Sequence, residues 1–193
     1  MTETQRRNIT VTRPQLHQIS EAIAYGVSLA IACLLSYWLA TRFLAHVYSV
    51  SRDDDLLGGM WAAVATVFVY RYSYEQSVHA ALSRMAATSV SFVLCLVYLL
   101  IFPFQPWGMA ILIAVGTVAS KLIGRSDDIV TTGITTTVVM VVAALSPHNA
   151  WREPILRMVD TAIGVAVGVA AARISLSATR RHHRAAPEPA GAR

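Results

Sequence analysis

"ILRMVDTAIG", Ile155–Gly164, sets a charged pair at the threshold of an apolar run. Arg157 and Asp160 stand three residues apart, Thr161 follows, and no further charge comes before Arg173. Eighteen residues separate Pro154 from Arg173. A helix needs about 20 apolar residues (range ~17–25) to cross a bilayer. A crossing that starts at Pro154, a residue suited to a first helical turn, therefore carries Arg157 and Asp160 into the membrane edge. At spacing i, i+3 they share a face and can pair. An Asp or Arg at bilayer centre costs about 2.5–3.5 kcal/mol on insertion scales and less near the ends, so the pair calls for a partner or a wet cavity. Two readings stand. One is an anion-attracting site at a positive helix N-terminus, with Asp160 orienting Arg157 or acting as a proton-linked switch. The other is a snorkelling Arg beside a satisfied helix-start Asp.

The rest of the chain makes that membrane edge real. Of 193 residues, 55% are hydrophobic and 14% charged, too apolar for an ordinary soluble domain. Six apolar runs can be read: Ala22–Phe43, Leu56–Tyr72, Met85–Phe102, Trp107–Ile123, Ile129–Leu145 and Ile155–Ile174. Barrel strands would be about half that length and would alternate. The expected fold is thus an all-α integral membrane protein with six transmembrane helices across residues 22–174. Residues 1–21 are expected to form a polar cytoplasmic lead-in, and 175–193 a basic disordered cytoplasmic tail. The first run, preceded by some twenty polar residues, longer than an h-region and followed by no small-residue cleavage site, reads as a retained helix and not a secretory signal.

Charge sets the orientation. With the N-terminus inside, twelve of the sixteen Lys and Arg fall on cytoplasmic segments; Arg42, Arg52, Arg152 and Arg157 fall outside. This positive-inside pattern puts both termini in the cytoplasm. The +5 net charge then reflects topology and contact with an anionic lipid bilayer, with no nucleic-acid partner.

The opening stretch has a second copy. Shifted by 73 residues without gaps, "LSRMAAT" (Leu82–Thr88) lands on "ILRMVDT" (Ile155–Thr161), and "RDDD" (Arg52–Asp55) on "RSDD" (Arg125–Asp128). From Arg52 to Thr88, eight of 37 pairs are identical, against roughly two or three by chance in so biased a composition. A unit of three spans reverses direction on repetition, so the halves, 22–102 and 107–174, form an inverted repeat of the kind found in secondary transporters. Arg84 is then expected at the cytoplasmic mouth of the third span, and Arg157 at the outer mouth of the sixth.

Below each Arg runs a stripe of small residues: Thr88, Ser91 and Cys95 in one copy; Thr161, Gly164, Gly168 and Ala172 in the other. In lipid, small residues let helices approach closely, so Ser91, Cys95, Gly164 and Gly168 read first as packing positions. A pathway involving Arg84, Thr88, Arg157, Asp160 and Thr161 is the sharper reading. Asp53–Asp55 and Asp127–Asp128 suit helix caps; alternatively Lys121, Arg125, Asp127 and Asp128 make a charged inner gate. Thr131, Thr132, Thr135, Thr136 and Thr137 give the fifth span a polar half, though a Thr hydroxyl can bond the i−4 carbonyl. Trp107, Trp151, Tyr70, Tyr72 and Tyr74 lie near span ends as interfacial aromatics do. Cys33 and Cys95 fall on different spans and read as small buried residues. The histidines are scattered, and there is no nucleotide loop or hydrolase signature. No metal, cofactor or enzymatic activity is expected.

"GGMWAAVATVFVYRYSYEQSVHAALSRMAATSVSF", followed by "LRMVDTAIGVAVGVAA", resembles the membrane domain of fusaric-acid-resistance-type proteins. That group includes aromatic acid exporters and is distantly akin to plant aluminium-activated malate transporters. Arg84 and Thr88 match its third-helix pattern; Arg157, Asp160, Thr161 and Gly164 match its R-x-x-D-T-x-x-G in the sixth. The likeness spans roughly residues 20–175. It implies a six-helix bacterial inner-membrane domain that exports small organic anions, often aromatic carboxylates. Larger members add a cytosolic domain and a second membrane domain that are not found in this sequence. A homodimer with the route near its interface is therefore expected; a non-transporting scaffold or accessory subunit, and a passive anion channel, are the alternatives.

Overall fold

The computed structural model describes residues 13–47, 52–145 and 150–185, and side chains at the ends of these segments are not part of that description. Within them the chain is helical: α1 Arg13–Val47, α2 Arg52–Val69, α3 Tyr74–Ile101, α4 Pro106–Leu122, α5 Ile129–Leu145 and α6 Arg152–Ala185, with a 3-10 turn at Ser126–Asp128 before α5. Four stretches are long and apolar enough to cross a membrane: Gln18–Arg42, Tyr74–Ile101, Ser126–Leu145 and Arg152–Ser175. Two shorter apolar helices, Asp55–Val69 and Pro106–Leu122, lie between them. At 1.5 Å per residue these extend about 22 and 26 Å, against a hydrocarbon core of about 30 Å.

Several boundaries differ from the sequence expectation. The lead-in is helical from Arg13, because α1 simply extends backwards from the first apolar run. The helix of the last span does not end at Ile174; α6 continues to Ala185, so most of the expected disordered tail is helical. The largest shift is at α3, which starts at Tyr74, eleven residues before Met85. Ser73 caps it, accepting a hydrogen bond from the Gln76 N–H at 3.2 Å, in the Ser-x-x-Gln spacing of a capping box. The Ser77 hydroxyl oxygen accepts from the Arg71 N–H at 3.0 Å, anchoring the turn from α2. Arg84 is consequently ten residues inside α3.

The register between helices is readable from individual contacts. α1 and α2 run antiparallel: Tyr25 donates to the Tyr70 carbonyl, Cys33 lies at the Ala63 carbonyl, and Gly59 leaves room for Tyr37 and Thr41. α2 and α6 run parallel, with Ala62, Ala65 and Thr66 at Gly164 and Val69 at Gly168. α3 and α5 are parallel through Ser83–Asp128 and Ser91–Thr132. α3 and α6 are antiparallel: Tyr74 lies by Arg173, and Ala81 clusters with Val165. Carried along both helices, that register sets Ala87 level with Asp160 to within a residue.

Exchanging α1, α2, α3 for α4, α5, α6 maps the set of touching helices onto itself. The pair α1–α2 corresponds to α4–α5, α2–α6 to α5–α3, α1–α6 to α4–α3, and α2–α3 to α5–α6, while α3–α6 maps to itself. The mates Gly164 and Ser91 occupy corresponding places, each buried against the helix that packs on its own.

Candidate functional site

The α2–α6 contact is close because of glycine. A Cβ at Gly164 would run into the Ala62 carbonyl oxygen and the Ala65 Cβ; one at Gly168 would lie 3.2 Å from Val69. The Thr66 hydroxyl lies 3.0 Å from both the Gly164 and the Ala62 carbonyl oxygens, and its single proton serves the two. Thr161 turns its hydroxyl back to the Arg157 carbonyl at 2.7 Å, satisfying itself on its own helix. The corresponding α3–α5 contact is made by hydroxyls: Ser91 donates to the Thr132 carbonyl at 3.0 Å and Thr136 donates to Ser91 at 3.1 Å. Ser120 of α4 lies 3.4 Å from the Thr132 hydroxyl. Thr135 and Thr137 bond their own i−4 carbonyls. Cys95 is buried in the cluster with Leu99, Leu112, Val139, Met140 and Ala143. Cys33 is only half-buried, and both cysteines are free.

Arg157 does not snorkel. It is 1% exposed, its guanidinium 3.1 Å from Asp160 (0% exposed) and 3.7 Å from Glu153 (3% exposed). The three occupy i, i+4 and i+7 positions on α6, so one helix face supplies a cation and two flanking carboxylates. These are charge contacts rather than aligned hydrogen bonds. Glu153 is absent from the sequence-derived set, though its i, i+4 spacing to Arg157 is plain in "REPILR".

Arg84, the repeat mate, is in a different state. It is 3% exposed, and none of its three guanidinium nitrogens has a hydrogen-bond partner among the described residues. Its charge rests on two rings of α2, with the guanidinium carbon 4.7 Å from the Phe68 centroid and 5.4 Å from that of Trp61. Two desolvated cation–π contacts supply about 2 kcal/mol or somewhat more each, whereas removing a cation from water costs several; the rings shield Arg84 without neutralising it. Two further buried donors also lack hydrogen-bond partners among the described residues: the Thr88 hydroxyl, one turn along from Arg84, and the Trp61 indole N–H. Arg84 and Trp61 thus bring unsatisfied donors to the α2–α3 contact, where each is costly to leave unmade. The sequence shows Trp61 and Phe68 only as an i, i+7 pair on one face of α2; that this face meets an Arg is a tertiary fact.

The four residues of the suggested inner gate divide. Asp128 is buried, accepting from the Ser83 hydroxyl of α3 and pairing with Arg125 Nε at 3.7 Å; Arg125 also reaches the Leu82 carbonyl at 3.4 Å. Lys121 and Asp127 are exposed. Asp128 therefore tethers α3 to the turn before α5, and the cap position of that turn, Arg125, has no side-chain bond. Asp53 and Asp54 fall in the first turn of α2, and their side chains lie outside the described residues. Tyr70, expected at an interface, is buried against Tyr25, ring centroids 5.0 Å apart; Tyr72, Tyr74, Trp107 and Trp151 are exposed.

Apolar helices long enough to span a bilayer, with an ion cluster and an unneutralised cation buried between them, define a membrane protein with a polar interior. Residues 31–171 match the family described as fusaric acid resistance protein-like, and the chain belongs to that family. Membership carries a membrane transport or resistance role. No curated protein and no solved structure matches the chain.

Proposed function

We propose that this chain moves small organic anions, aromatic carboxylates in particular, across a bacterial inner membrane, with Arg84 as the anion-holding residue. The observation that carries this reading is the buried Arg84 guanidinium without a hydrogen-bond partner among the described residues, a charge that a carboxylate would neutralise. Arg157 already has Asp160 and Glu153 beside it, so in this reading it holds the α6 face together and offers an anion less. The self-mapping helix contacts and the 73-residue repeat support two inverted three-helix halves, all six helices crossing, both termini cytoplasmic. A homodimer would place the route at or near the subunit interface.

The test is flux. Vesicles containing the purified protein should pass benzoate, and Arg84→Gln should cut that flux at least tenfold while leaving the folded yield within about twofold of the parent. An unchanged flux in Arg84→Gln would remove Arg84 from the pathway. No flux from the intact protein, together with co-purification of a second membrane protein, would favour an accessory-subunit role.

A further inference from the structure

The two rings that shield Arg84 differ in their surroundings. Trp61 is 4% exposed and Phe68 39% exposed, so Trp61 backs the guanidinium from inside the bundle while Phe68 forms its outer wall. We infer that Trp61 and Phe68 make a stacking subsite at Arg84 that selects planar aromatic carboxylates over aliphatic ones of equal size. The inference rests on the anion-transport reading above and adds the specificity determinant to it.

The argument is one of exchange. The rings lie against the cation; their faces carry the negative side of the aromatic quadrupole, which is what the guanidinium needs. A carboxylate arriving at Arg84 supplies a full counter-charge and a planar, bidentate match to the guanidinium. The rings are then released from that duty and present two apolar faces beside the carboxylate's substituent. A planar ring can stack on those faces or meet them edge-on, whereas a saturated ring of the same bulk gains only contact area. The Trp61 indole N–H provides a further unsatisfied donor at this contact, and the Thr88 hydroxyl, also unsatisfied, lies one turn along α3 from Arg84.

The experiment compares benzoate with cyclohexanecarboxylate, equal in charge and nearly equal in size, binding to the full chain in lipid nanodiscs by calorimetry. The intact protein should prefer benzoate by about two- to tenfold for each ring engaged. Phe68→Leu and Trp61→Leu should each shrink that preference while cyclohexanecarboxylate affinity changes by less than about threefold; Phe68→Tyr should keep it. Arg84→Gln should abolish both. Equal affinity of the intact protein for the two acids, equal weakening of both by the Leu variants, or competition by sulfate as effective as by benzoate would each overturn the subsite. In those cases an Arg84-dependent anion site still stands. Binding of neither acid would remove the anion site and the subsite together. Thr66→Val, placed at the α2–α6 contact away from Arg84, serves as the folding control: it should leave the benzoate preference unchanged, and loss of the preference there would show that disturbing α2 alone suffices.

Discussion

At the level of single residues, the two buried arginines should respond oppositely to neutral replacement. Arg157 sits between two carboxylates, and Arg157→Leu would strand Asp160 and Glu153 without it. Breaking a buried pair from one side costs about 3–5 kcal/mol, which should appear as a large loss of thermal stability in detergent. Among the described residues, Arg84 has the rings of Trp61 and Phe68 at its charge and no hydrogen-bond partner. Replacing it with an apolar residue of similar length, Arg84→Met, removes an uncompensated cation, so stability should hold or rise while benzoate binding disappears. Stability given up at a working site is a common trade. A loss in Arg84→Met as large as that in Arg157→Leu would mean that the Arg84 charge is structural.

Helix against helix, the glycines separate into those that are needed and those that are not. Gly164→Ala puts a methyl into the Ala62 carbonyl and forces α2 from α6; overpacking of this kind costs about 1–3 kcal/mol. Gly133 of α5 has nothing within 4 Å of a Cβ. Gly133→Ala should therefore raise stability by about 0.4–1 kcal/mol through the unfolded chain's lost freedom, measured in the same thermal series. Much of this scale could be read in advance: the small residues at Gly164, Gly168, Ser91 and Cys95, spaced for one helix face, are all buried at helix contacts. The start of α3 could not be read from hydropathy, since Tyr74 to Ser83 is too polar to register as part of a span. The helix start is marked instead by the Ser73-x-x-Gln76 cap, a local signal that hydropathy does not register. What surrounds Arg84 was beyond reach, because its partners come from α2 across a contact that spacing alone does not define. Glu153 could have been found, being one turn from Arg157 on the same helix.

Taken as a whole, the described helices pack α3 against α6, a contact that the exchange of halves maps onto itself. Ala87 and Asp160, mates under the 73-residue shift, come level there and are both buried. Under the proposed inverted repeat they lie beside the two-fold axis, where each position faces its own counterpart. An acid in both copies would bring two carboxylates together, an arrangement that cannot keep both ionised cheaply. Ala87→Asp should accordingly lower thermal stability sharply, and adding Asp160→Ala should recover most of the loss. Failure of the second change to rescue the first would place the two positions apart. The swap has a further meaning. Had the halves begun as one polypeptide inserting in both orientations, this axial position would have had to stay neutral, because any substitution appears twice. Joining the copies in one chain lifts that restriction, and α6 can then carry two acids, Asp160 and Glu153, beside Arg157 where α3 has Ala87 and Ala80 beside Arg84.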